Sequence, residues 1–168
     1  RIKTEEYDGV FEFNILSLTD DSLKIERNGE VIQYYSRRLE YDKDLKFNFI
    51  SISTYKCMDL CWEFDYKLQN NGLEVFDGKY NTQTLGIKES KMNDKLLKEI
   101  DSLFKWSNIK ELEPERIPIA VDGWLINFEI NFNENESIAF STTSFEIPYR
   151  LKPIFHLIMK HLKEEGLK

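Results

Sequence analysis

Apolar and polar residues alternate along most of this chain, and the period lengthens in only two places. From Val10 to Leu18 (VFEFNILSL), Phe11, Phe13 and Ile15 alternate with Glu12 and Asn14, which predicts a strand. From Ser22 to Tyr35, Leu23 and Ile25 lead in and Ile32 and Tyr34 lead out. Between them Asn28-Gly29 suits the two positive φ values of a type I′ turn, so the stretch predicts a hairpin. Asp42 to Thr54 predicts a further strand through Leu45, Phe47 and Phe49. In CMDLCWEFDYKLQ, residues Met58, Leu60, Trp62, Phe64, Tyr66 and Leu68 share one parity. Asp59, Cys61, Glu63, Asp65, Lys67 and Gln69 share the other. That is a half-buried strand, closed by the turn residues Asn70-Asn71-Gly72 and returned by Leu73–Tyr80.

The period then lengthens. After a polar loop, Leu96, Leu97, Ile100, Leu103 and Phe104 form a helical stripe, which predicts a helix over about 93–106. Asn93 suits its N-cap and Asp94 the positive end of its dipole. A proline-bearing crossing follows, Glu111 to Gly123, with an edge strand around Ile119 to Val121. Alternation resumes with Trp124, Ile126, Phe128, Ile130 and Phe132 facing one way and Asn127, Glu129 and Asn131 the other. Asn133 to Glu136 makes the turn, and Ile138 and Phe140 return. The hydroxyl-rich FSTTSFEIP reads as the loop into a last helix over about 149–163. Leu151, Ile154, Ile158 and Leu162 would face inward there, with Pro153 in the first turn, where its missing amide has no helical partner.

Trp62, Phe64, Tyr66 and Leu68 align with Trp124, Ile126, Phe128 and Ile130. Each run leads through a polar turn and a return strand to a helix. The fold class predicted is α+β: a mainly antiparallel sheet from a duplicated β-β-α unit, with extra N-terminal strands and two helices. The organisation expected is a single domain over 1–168, with strands in 1–55, a first unit in 56–110 and a second in 111–168. The order hairpin, helix, proline-bearing crossing, Asp-Gly-led hairpin and Pro-led helix resembles uncharacterised bacterial domain families of unknown function. One such pattern opens its first strand with Cys-Pro. Cys61, the NNGLEVFDG hairpin and Pro148 match its elements, and Trp62 stands where it has proline. The resemblance runs from about Cys57 to Leu162 and implies no particular chemistry.

Composition narrows the functions. A net charge of −7 with no Lys/Arg run argues against nucleic acid and anionic membranes as partners. No apolar run approaches the roughly 18 residues of a membrane span. The chain begins with Arg1 rather than Met, which fits a trimmed chain or a processed secreted form. The expectation leans to the cytoplasm over a secreted or envelope location. No nucleotide, metalloprotease or hydrolase motif is present, and no cofactor, metal or catalytic residue is expected.

Cys57 and Cys61 would lie about 13 Å apart on a strand, too far for a disulfide, so they read as structural thiols. A loop folding back at Cys57 would allow a redox pair or a metal site. His156 and His161 sit about 140° apart on the last helix and do not converge. Near its C-terminus they suit the helix dipole. Asp59, Glu63, Asp65 and Glu129 fall on the outward parity and would form an acidic stripe if the two long strands share a sheet. The stripe reads either as a solvated sheet face or as a binding patch for a basic protein. The leading expectation is a non-enzymatic protein-binding module, an acidic inhibitor or immunity-type protein neutralising a basic effector. The alternatives are a secreted or envelope-associated domain of structural or ligand-binding role, and an enzyme with an unfamiliar site at Cys61 or the Glu63/Asp65 pair.

Overall fold

The computed structural model describes residues 13–36, 40–55, 61–114, 123–134 and 136–167. Two compact units divide the chain, Arg1–Tyr41 and Asp42–Lys168. The first contains an antiparallel meander of β1 (Asn14–Leu18), β2 (Ser22–Arg27) and β3 (Glu30–Tyr35). Asn28 and Gly29 take φ 54° and 82°, the positive pair the Asn-Gly turn predicts. The start of the first predicted strand, Val10 to Glu12, lies outside the described residues.

The second unit is built on a six-stranded antiparallel sheet, in the order β7-β6-β5-β4-β8-β9. Its strands are β4 (Phe47–Thr54), β5 (Glu63–Gln69), β6 (Leu73–Tyr80), β7 (Gly86–Lys91), β8 (Leu125–Phe132) and β9 (Glu136–Thr143). Helices α1 (Asp94–Lys105) and α2 (Lys152–Glu164) contribute to one apolar core with the sheet. Asn93 caps α1, its side chain accepting from the Leu96 amide at 2.9 Å. Pro153 falls in the first turn of α2.

Strand β4 is the axis of the two halves. Ile52 pairs with Tyr66 on one side and Phe128 on the other, and Ile50 pairs with Leu68 and Ile130. The sequence alignment of the two units is therefore also a spatial correspondence about β4. Phe76 and Phe140 continue it, opposite Tyr66 and Phe128. Trp62 and Trp124 meet edge to face, ring centroids 5.3 Å apart. The Trp124 indole N–H donates to the Trp62 carbonyl at 2.9 Å, which also accepts from the buried Thr54 hydroxyl. Two aromatic side chains and a shared carbonyl thus join the halves where their long strands begin.

Four local readings are corrected. A register shift between Phe47 and Phe49 lets both Phe47 and Ile50 point inward. Phe49 turns outward and lies under the Lys67 ammonium, 3.9 Å from the ring centroid. The polar loop after Tyr80 contains β7, a mostly exposed edge strand whose side chains carry no apolar alternation to betray it. Thr142 and Thr143 belong to β9 and are buried rather than part of a loop. Cys61 lies ahead of β5 and is disulfide-bonded, so it is not a thiol on a strand. Cys57 and the proposed edge strand at Ile119 to Val121 lie outside the described residues.

Candidate functional site

With both helices packed on one side, the residues of opposite parity form the sheet's other face. Pairing fixes their arrangement. One row crosses the sheet as Ile87, Asp77, Asp65, Ser53, Asn127 and Ser141; the next as Glu89, Val75, Lys67, Ser51, Glu129 and Ala139. Glu63 and Asp65 on β5 and Glu129 on β8 therefore share one surface, as their sequence parity predicts. Their strands flank β4 and run about 10 Å apart, with Asp65 and Glu129 in neighbouring rows and Glu63 one row further out. Asp59 lies outside the described residues.

The surface is not uniformly acidic. Asp65 and Asp77 oppose each other directly, an unfavourable pairing unless a cation intervenes. The Lys79 ammonium bonds Asp65 and also lies in the field of Asp77 and Glu63. Burial raises the Asp65 pKa, but bonds from Lys79 and Ser53 outweigh that and hold it below the usual value. The carboxylate is thus ionised and already partnered on one side.

Around Glu129 the side chains are small. Ser51, Ser53, Asn127, Glu129, Ala139 and Ser141, with Phe128 and Phe140, line a recess of about 380 Å³. At its edge the Asn127 amide nitrogen donates to the Tyr55 hydroxyl at 2.9 Å. The other end of that amide, Oδ1, is buried and has no hydrogen-bond partner. Such an atom costs free energy until a donor reaches it. The recess therefore combines an unmet acceptor, an exposed carboxylate and three hydroxyls. That set suits a ligand rich in N–H donors.

On the core side lies a polar cluster that the sequence reading missed. Glu74 points inward from β6 and is buried, as is His161 on α2. The imidazole Nε2 stands 3.0 Å from Glu74 Oε2. Tyr66 donates its hydroxyl proton to the same oxygen at 2.9 Å, and Ser90 donates to Oε1 at 2.8 Å. Burial pushes the Glu74 pKa up, yet the bonds from His161, Ser90 and Tyr66 win and hold it down. Glu74 in turn raises His161. Both directions favour the ion pair of carboxylate and imidazolium. Burial, with the carboxylate beside it, drives the Tyr66 phenol far above its ordinary range, so it acts only as a donor. His161 is thus a buried partner of a strand carboxylate, not a surface cation serving the helix dipole; His156 is exposed.

A signal for the cluster exists in the sequence. Once Phe76 is placed inward, Glu74 must share its face, and His161 follows Ile158 by three residues on the inward stripe of α2. The half-to-half correspondence makes the departure plain: Glu74 opposes Leu68 where Ile138 opposes Ile130.

The chain belongs to the family described as domain of unknown function DUF6438, whose model matches residues 48–162. The match begins in β4 and ends in α2, taking in the whole outer-face recess and the Glu74–His161 pair. It leaves β1 to β3 outside. No curated protein matches the chain.

Proposed function

We propose that the protein is a non-enzymatic binding module whose outer sheet face takes a basic segment of a protein partner. The observation that carries this reading is the recess at Asn127 and Glu129, where a buried acceptor lacks a donor beside an exposed carboxylate. An arginine or lysine side chain supplies N–H donors for both. Glu63 and Asp65 lie on the adjoining strand and favour the approach of positive charge. An inhibitor of a basic effector is the version of this reading that the net charge of −7 favours.

Titration calorimetry with an arginine-rich peptide tests it, with a glutamate-rich peptide of equal length as control. Only the basic peptide is expected to bind, and more weakly as salt rises toward 1 M. Asp65→Asn and Glu129→Gln should each weaken it a few-fold, the range of partly exposed charge pairs. Equal binding of both peptides, or variants indistinguishable from the parent, would refute the reading.

A second reading rests on the disulfide-bonded Cys61. Disulfides persist in oxidising compartments, which favours a secreted or envelope location for the same binding role. A secretory or lipoprotein signal ahead of Arg1 supports it, and an initiator Met directly ahead removes it.

A further inference from the structure

The outer-face recess holds its acceptors in two neighbouring rows of the sheet. Ser53 and Asn127 oppose each other across β4 and β8, and Ser51 and Glu129 oppose each other one row along. The Asn127 carboxamide nitrogen donates to the Tyr55 hydroxyl, so the buried and unpartnered oxygen is the end left to the recess. The Ser53 hydroxyl bonds the Asp65 carboxylate. An ionised carboxylate only accepts, so the Ser53 proton is committed there and its oxygen offers lone pairs. Glu129 is exposed, and no cation among the described residues pairs with it. The Lys67 ammonium of its row is turned onto the Phe49 ring instead.

This spacing separates the two kinds of basic side chain. Residues two apart on a strand stand about 6.8 Å from each other. Acceptors held at about 2.8 Å around a tetrahedral ammonium lie only about 4.6 Å apart. A lysine therefore serves Glu129 or the Asn127–Ser53 row, not both at full strength. A guanidinium spreads five N–H donors over a plane and presents one edge to each row. It is also more weakly hydrated, which favours it at an acceptor as deeply buried as Asn127 Oδ1. Ser51, Ser53, Ala139 and Ser141 are small and leave room for a flat group.

We propose that the recess selects arginine over lysine, one guanidinium edge donating to Asn127 Oδ1 and Ser53 Oγ and another to the Glu129 carboxylate. This inference rests on the outer face receiving a basic segment, and adds which residue of that segment the recess recognises. Glu129, with Glu63 and Asp65 nearby, attracts either cation. The Asn127–Ser53 row tells them apart.

Titration calorimetry on the full chain tests it with three peptides of equal length and charge. Their central residue is arginine, lysine or asymmetric dimethylarginine, in the same background of glycine, serine and lysine. Dimethylation keeps the charge and blocks N–H donors. Arginine is expected to bind about tenfold more tightly than either alternative, a comparison made on the unaltered protein. In Asn127→Ala the three affinities should converge to within about twofold. Glu129→Gln should weaken all three. Equal binding of the three peptides, with Glu129→Gln weakening each, would overturn the selection and leave the basic-segment reading standing. Absence of binding by all three would overturn both. An arginine preference undiminished in Asn127→Ala would also overturn the proposal.

Discussion

Glu74 and His161 form the interaction whose energetics depend most on a single proton. His161 has its pKa raised from 6.5, so its contribution is complete below about pH 6.5 and is lost as pH climbs through the higher folded value. Glu74 has its pKa lowered from 4.5, so its contribution is present above that value and is lost as pH falls through the lower folded one. The pair therefore stabilises fully between about pH 4.5 and 6.5. Glu74→Gln should cost about 3 kcal/mol in this window, because removing one partner of a buried pair leaves the other uncompensated. Urea unfolding at pH 5.5 and pH 9 checks it. The parent should lose stability between the two, whereas the variant, whose unpartnered imidazole is relieved by deprotonation, should hold or gain it; parallel pH profiles would show that the pair does not act as an ion pair. Sequence pattern hid this feature because LEVFDG has apolar residues on both parities, with Leu73 and Val75 facing away from the core and Phe76 toward it.

Among the elements, the long strands were the most legible, because Phe64, Tyr66 and Leu68, or Ile126, Phe128 and Ile130, leave no other face to bury. The helices were legible from their stripes, to within three residues at each end. Strand β7 was not, because its order comes from pairing with β6 rather than from its own burial. Gly78 shows how tightly this edge is built. It opposes Phe64 on the core side, and a Cβ there would stand 1.9 Å from the Thr84 carbonyl oxygen and 2.6 Å from the Thr82 hydroxyl. The backbone before β7 therefore closes directly over β6. Gly78→Ala should force that segment to move and destabilise by about 1–3 kcal/mol or more. Hydrogen exchange should show faster loss of protection in β6 and β7 than in β8 and β9. Uniform loss across all six strands, or none, would contradict this account of the edge.

For the molecule as a whole, the chain predicted an antiparallel α+β fold in two hairpin-and-helix halves, and the shared partners of Ile50 and Ile52 realise that plan. That Glu63, Asp65 and Glu129 share a face was legible from parity alone, but the recess was not. It depends on Ser51, Ser53 and Ser141, whose small size matters only once β4, β8 and β9 are side by side. Ordinary polar residues in three distant segments carry no pattern that marks them as neighbours. The same holds for Lys79, which screens the carboxylates of the stripe from a sequence position two residues past Asp77. The central claim is that the recess around Asn127 and Glu129 receives cationic donors. Amide and side-chain NMR of the labelled protein, titrated with the arginine-rich peptide, tests it most directly. Saturable shifts centred on Ser51, Ser53, Asn127, Glu129 and Ser141, with a large change at the Asn127 carboxamide, are the predicted result. Shifts scattered over the acidic surface, with the Asn127 carboxamide unmoved at saturation, would contradict it.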